Sequence, residues 1–269
     1  MTSTSTVRTP TLAEHGYEVI PGALSPPLLE RLSEAAHRAH ERFRDRARDY
    51  YTPRRRMLFA IQELEPAFLE PLALATTLPA VCGALGPNIF VYHSHLDRNE
   101  SLPEEFEYPF NWHRDLQGIT YTLPHPLPLL SVKVSYPLTD IAGAEGGGPL
   151  VIPGSHTGPS TDRPTGPRPP GSVPVLAPAG SAILIDSRLW HTVGANRSGH
   201  IRMTLFYAYA YRWIRPIEPY DLSPERLAGL TPVQRQLLGA GDRLEGFHLP
   251  EPDEVPLRSV AESGDWSAL

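Results

Sequence analysis

Between residues 88 and 215 the chain carries the periodicity of a sheet. Leu130-Ser131-Val132-Lys133-Val134-Ser135-Tyr136 alternates strictly, so Ser131, Lys133 and Ser135 share one face while Val132 and Val134 share the other. Ile89-Phe90-Val91-Tyr92 is a β-rich run, Ser181-Ala182-Ile183-Leu184-Ile185-Asp186 follows a Pro-Ala-Gly turn as a buried strand, and 202–211 is a long aromatic strand. Strands separated by Pro/Gly turns, without alternating helices, confine this region to an antiparallel sandwich or barrel.

The flanks read differently. Residues 10–85 are expected to be mostly helical: Thr11 and Glu14 have the spacing of a capping box, and Leu28, Leu29, Leu32, Ala35, Ala36 and Ala39 recur at helical spacing after Ser25-Pro26-Pro27. The stretch 69–85 is apolar and helical up to Gly86-Pro87, with a break at Pro79. The arginine-rich run 38–56 is interrupted by Glu41, Asp45 and Asp49 and reads as a solvated helix. Residues 153–178 are crowded with Pro, Gly, Ser and Thr, the composition of a lid or irregular loop. The expected organisation is a single domain over 1–269: a helical flank 1–87, a β core 88–215 and a C-terminal extension 216–269.

Composition narrows the function. A net charge of −6 without a basic face argues against nucleic acid as a partner. No stretch approaches eighteen apolar residues, the start MTSTSTVRTP lacks a signal-peptide core, and Cys82 is the only cysteine, so a cytoplasmic protein without a membrane partner is expected. Of 24 basic side chains only Lys133 is a lysine, and a compact ammonium does not substitute for a planar guanidinium.

Two His-x-Asp triplets occur, His95-Leu96-Asp97 and His113-Arg114-Asp115. On a strand, residues i and i+2 project to one face, so either pair can hold one ion or form an ordinary hydrogen-bonded pair. Joined by a distant histidine, here His191 past a buried strand, such a pair supplies two imidazoles and a carboxylate. That set binds non-heme Fe(II) on one face of an octahedron and leaves positions open for chemistry. Trp112 before the second triplet and the polar, Gly-containing turn after it favour His113 and Asp115. Arg202 and Thr204 share a strand face, a guanidinium and hydroxyl suited to a carboxylate; a structural salt bridge is the plainer reading of Arg202. Tyr92, His95, Trp112, Trp190 and Trp213 are the expected walls of a pocket for an apolar or ring-bearing small molecule.

At these residues the sequence resembles the phytanoyl-CoA dioxygenase family of Fe(II)/2-oxoglutarate oxygenases. The matching segments are Tyr92-His93-Ser94-His95-Leu96-Asp97, Trp112-His113-Arg114-Asp115, the run from Ser131 to Asp140, Gly147-Gly148-Pro149-Leu150-Val151-Ile152-Pro153-Gly154-Ser155-His156 and Asp186-Ser187-Arg188-Leu189-Trp190-His191. The resemblance implies a mostly β protein with a helical flank and a double-stranded β-helix (jelly roll, cupin-like) core. It implies Fe(II) on His113, Asp115 and His191, 2-oxoglutarate on Arg202 with Lys133 as a second contact, and O2 as oxidant for hydroxylating a C–H bond of a small molecule. Asp115 argues against halogenation, which needs that position vacant. Two residues past the distal histidine the family often has a small polar residue, whereas this chain has Val193, which puts one cosubstrate hydrogen bond in doubt. His156 is expected to be structural. The rival readings are a cupin-like metal isomerase or epimerase and a degenerate small-molecule binding protein.

Overall fold

The structure is a computed structural model that describes residues 10–116, 122–158, 162–240 and 254–269. Its elements run α1 (Pro10–His15), β1 (Tyr17–Ile20), α2 (Pro26–Arg42), β2 (Arg48–Tyr50), β3 (Thr52–Phe59), α3 (Leu78–Leu85), β4 (Ile89–Asn99) and β5 (Ser131–Pro137). They continue β6 (Pro149–Val151), β7 (Val173–Pro174), β8 (Ala182–Asp186), β9 (His191–Val193), β10 (Arg202–Tyr211), α4 (Pro224–Leu227), α5 (Pro232–Leu237) and α6 (Pro256–Ser263). Seven strands pair antiparallel in the order β1-β8-β5-β10-β4-β3-β2, and a second sheet has the order β7-β6-β9.

Strand alternation decides what each face of the large sheet does. Val132, Val134 and Tyr136 of β5, Leu184 of β8 and Leu205, Tyr207 and Tyr209 of β10 form the outer face. They share one core with Leu32, Ala35 and Ala36 of α2, Phe68 and Leu72 of the 3-10 helix Pro66–Ala73, and Val81 of α3. Each fully buried Val, Leu or Phe there contributes about 1.5–3 kcal/mol. On the inner face Ile183 and Ile185 of β8 meet Val151 and Val175 of the smaller sheet. The two facing sheets form a double-stranded β-helix, closed by apolar contacts at the β8 end. At β3, β4 and β10 the same inner face mixes charged and polar side chains (Arg55, His95, Asp97, Arg202) with Met57, Phe59 and Phe206.

The flank departs from expectation. Residues 10–85 contain three strands besides their helices, and the arginine-rich run is not one solvated helix. The helix α2 stops at Arg42 and the chain turns into the β2–β3 hairpin, with Arg55, Met57 and Phe59 paired to Asn99, Asp97 and His95 of β4. Long-range pairing to a buried strand outweighs the local preference of a charged run. Thr11 lies inside α1, not at its cap. The 153–178 loop holds a two-residue strand, β7, paired with Leu150 and Val151. The region 223–238 forms two short helices, the second opened by a capping box between Thr231 and Gln234. Among the described residues no single helix is long and apolar enough to cross a membrane.

Candidate metal centre

His113 and His191 are brought together by backbone pairing. His113 N–H donates to the His191 carbonyl (2.9 Å) and His191 N–H to the His113 carbonyl (3.0 Å), while Asp115 N–H donates to the Ser187 carbonyl (2.8 Å). β9 itself is held in register by β6, with Val151 opposite His191. One ligating atom from each of His113, Asp115 and His191 lies within 4.8 Å of the others. Asp115 Oδ1 stands 3.8 Å from His113 Nε2 and 3.7 Å from His191 Nε2.

The backbone also sets the tautomers. His113 Nδ1 bonds the Asn111 carbonyl (2.8 Å) and His191 Nδ1 the Leu189 carbonyl (2.9 Å). A carbonyl only accepts, so both Nδ1 atoms carry the proton and both Nε2 lone pairs face the centre. Burial, reinforced by the neighbouring His113, pushes the His191 imidazole down to about 3; burial also lowers that of His113. Both rings are therefore neutral, the ligating form. Burial alone would raise the Asp115 carboxyl, but the Lys133 ammonium holds it well below the usual carboxylate range. The Lys133 ammonium donates to Asp115 Oδ1 at 2.6 Å. Among the described residues Asp115 Oδ2 and His191 Nε2, both buried, have no hydrogen-bond partner. Two neutral nitrogens and one carboxylate, partly unsatisfied and desolvated, are a donor set for a divalent cation.

A cavity of about 360 Å³ opens beside this centre. Its walls include Arg55, Met57 and Phe59 of β3, Tyr92, His93 and His95 of β4, Lys133 of β5 and Phe206 of β10. Tyr92 and His93 are adjacent yet both reach the cavity, because the β4–β10 ladder shifts register there: Ala208 pairs with His93 and Tyr209 with Val91. The extra residue of this bulge re-aims a side chain that alternation would have sent to the core.

The remaining expected residues distribute as follows. His95 does not sit at the centre: its ring stacks on Phe206, with centroids 4.2 Å apart and 11° between planes. Asp97 is fully buried between two guanidiniums. Arg55 Nε donates to both its oxygens (3.0 and 3.1 Å) and Arg202 Nη2 donates to Oδ2. Arg202 Nη1 also reaches Thr204 Oγ1 at 3.4 Å, and its buried Nε has no partner among the described residues. Burial raises the Asp97 carboxyl, but the two arginines overcome this and hold it below its ordinary value. Trp112 and Trp190 do not line the cavity. Each precedes a ligand histidine on extended chain, so the alternation that turns the histidine inward turns the tryptophan away. They pack with Leu150 behind the centre, and Trp112 Nε1 donates to the Gly166 carbonyl (2.9 Å), tying down the long loop. Trp213 is 69% exposed, stacked on Tyr211. Val193 is on the cavity wall. His156 is structural: it bonds the Ala13 carbonyl (2.9 Å) and packs under Gly16, where φ is +79° and an added Cβ would lie 2.7 Å from its ring.

Sequence reasoning missed the β3 contribution, because three consecutive arginines masked the alternation that sends Arg55 and Met57 inward. It also missed Glu218, which has no local motif and reaches the cavity wall only because Ile217 N–H donates to the Tyr92 carbonyl at the bulge (2.8 Å).

The family model for phytanoyl-CoA dioxygenase (PhyH) matches residues 12–204. "Dioxygenase af480" of Aspergillus fumigatus is 31% identical over 237 residues, 84% of this chain and 74% of that protein. "Dioxygenase andF" of Emericella variicolor is 31% identical over 113 residues, 42% of this chain and 39% of that one. Among solved structures, HygX from Streptomyces hygroscopicus, with nickel, 2-oxoglutarate and hygromycin B bound, superposes with a TM-score of 0.62 at 18% identity, covering 81% of this chain and 92% of its own. The epimerase SnoN, in complex with Fe3+, alpha ketoglutarate and nogalamycin RO, gives 0.60 at 19% over 74% and 80%, and the carbocyclase SnoK 0.62 at 19% over 83% and 94%. With the family model spanning most of the sequence, the chain belongs to the phytanoyl-CoA dioxygenase family.

Proposed function

We propose that this protein is an Fe(II)/2-oxoglutarate-dependent oxygenase that hydroxylates a C–H bond of a small, ring-bearing organic molecule. The observation that carries the reading is the buried donor set of His113, Asp115 and His191, with both imidazoles neutral and their Nε2 atoms turned to one point. Iron bound there would supply oxygen activation, with 2-oxoglutarate as the co-reductant. HygX and SnoN, both crystallised with a metal and this cosubstrate, support carrying that pairing over.

The chain's own residues do the positioning. Arg55, Arg202 and Asp97 form a buried cluster with two positive charges and one negative, so among the described residues one positive charge is left without a local counter-ion. Burying such a charge is costly unless an anion meets it. We assign Arg202, with its orphaned Nε and Thr204 beside it, to the far carboxylate of 2-oxoglutarate, and Lys133 to a supporting role next to Asp115. Tyr92, His95, Phe59 and Phe206 form the wall against which the substrate lies, and the aromatic rim keeps water from the centre. An anaerobic titration with Fe(II) and then 2-oxoglutarate tests the reading. A weak visible charge-transfer band is expected on adding the cosubstrate; iron binding without the band moves the cupin-like metalloenzyme reading ahead, and no iron binding overturns the assignment.

A further inference from the structure

Two side chains of the cavity wall, His93 and His95, are linked in a line with Glu218 that the metal centre does not use. Glu218 Oε1 lies 2.6 Å from His93 Nδ1, and His93 Nε2 lies 2.9 Å from His95 Nδ1. Glu218 Oε2 also accepts from Ser94 N–H at 3.4 Å. A carboxylate only accepts, so neutral His93 carries its proton on Nδ1 and offers the Nε2 lone pair. His95 then donates from Nδ1, and its Nε2 is left as an acceptor. The order Glu218–His93–His95 thus fixes the polarity of a ring nitrogen on the cavity wall. Burial, followed by the charges of Lys133, Arg55 and Arg202, keeps His95 well below its ordinary range, hence neutral. The ring cannot turn freely: Phe206 stacks on it, and Phe59 lies 6.1 Å from it and 5.9 Å from His93. The same cavity wall carries the apolar or aromatic side chains of Met57, Phe59, Tyr92, Ile185 and Phe206.

We propose that Glu218, His93 and His95 form an acceptor relay whose free end, His95 Nε2, receives a hydrogen bond from a hydroxyl on the ring-bearing substrate. The enzyme therefore selects hydroxylated rings over their O-methylated counterparts. His95 is the specificity-determining contact, and His93 and Glu218 are positioning residues that set its tautomer. The inference rests on the small-molecule oxygenase reading for the word substrate, but its geometry does not involve iron or 2-oxoglutarate.

The test uses the full chain and two probes, 2-naphthol and 2-methoxynaphthalene, in which a methyl group replaces the hydroxyl hydrogen. Long-range proton–nitrogen NMR spectra of histidine-labelled protein, assigned with His93→Gln and His95→Phe, read the two tautomers directly. Both rings are expected protonated on Nδ1, and calorimetric titration is expected to give 2-naphthol roughly a three- to tenfold advantage, the worth of one hydrogen bond. His95→Phe keeps the stack and loses the advantage. Glu218→Leu scrambles the His93 tautomer and weakens it, while Glu218→Gln, whose carbonyl still accepts, restores it. A ring protonated on Nε2, 2-naphthol binding no tighter than its methyl ether or not at all, or an advantage that survives in His95→Phe overturns the proposal. Neither measurement needs the metal, so failure of the iron reading and failure of the relay are separable.

Discussion

Replacing Asp97 by asparagine removes the one anion shared by Arg55 and Arg202 while keeping the shape of the side chain. All three side chains are buried, at 4% exposure or less, so water cannot substitute for the lost carboxylate. Breaking a buried ion pair from one side costs about 3–5 kcal/mol, and the loss of two guanidinium contacts places Asp97→Asn in that range. At roughly 2–4 °C per kcal/mol for a chain of this size, the melting temperature falls by about 6–20 °C. The sign with pH follows from the depressed carboxyl of Asp97. Its stabilisation is complete above the unfolded value, about 3.9, and is lost as pH falls through the lower folded value. The gap between wild type and variant is therefore constant from pH 8 to 5 and narrows only below pH ~4. Urea unfolding across that range measures it. A companion Arg55→Met restores the net charge of the cluster, so the double variant is less destabilised than the sum of the singles by about 1 kcal/mol or more. A cost below about 1 kcal/mol for Asp97→Asn, or strict additivity, refutes the argument that the carboxylate is shared and unreplaced.

Other substitutions separate the roles of neighbouring residues. His113→Ala and His191→Ala abolish tight Fe(II) binding, whereas His95→Ala retains it; the reverse pattern in an anaerobic binding assay would move the centre to the other triplet. Arg202→Ala raises the 2-oxoglutarate concentration needed for half-saturation by about tenfold or more, the loss of a charge-assisted pair, with iron affinity kept. An unchanged requirement removes its assigned role. Cys82, buried and with its thiol pushed up by burial to about 12, stays unreactive to Ellman's reagent in the folded protein and reacts on unfolding. Gly16→Ala, forced to a positive φ under His156 and Leu189, destabilises the junction of α1 and the His156 loop by about 1–3 kcal/mol, read by thermal melting.

What the sequence discloses follows the range over which its signals act. The β5 alternation is local, and it assigns Val132 and Val134 to the core and Lys133 to the centre because neighbouring side chains on a strand have no other choice. The same rule, applied one residue further, explains where the reading of the pocket departs from the structure: a tryptophan directly before a ligand histidine on extended chain points away from what the histidine sees. Trp112 and Trp190 are thus packing partners of the centre, legible from parity alone. Arg55 is a different case. Nothing within ten residues of it distinguishes a solvated arginine from one that is 3% exposed; only the β4 strand more than forty residues away, carrying Asp97, makes the difference. Glu218 is more remote still, delivered to His93 by a bulge and a single backbone hydrogen bond. The clustering of His113, Asp115 and His191 is readable because residue type and spacing restrict what can form such a donor set. The cations and acceptors around them are held by pairing between distant strands, and that pairing sets how the cavity treats whatever enters it.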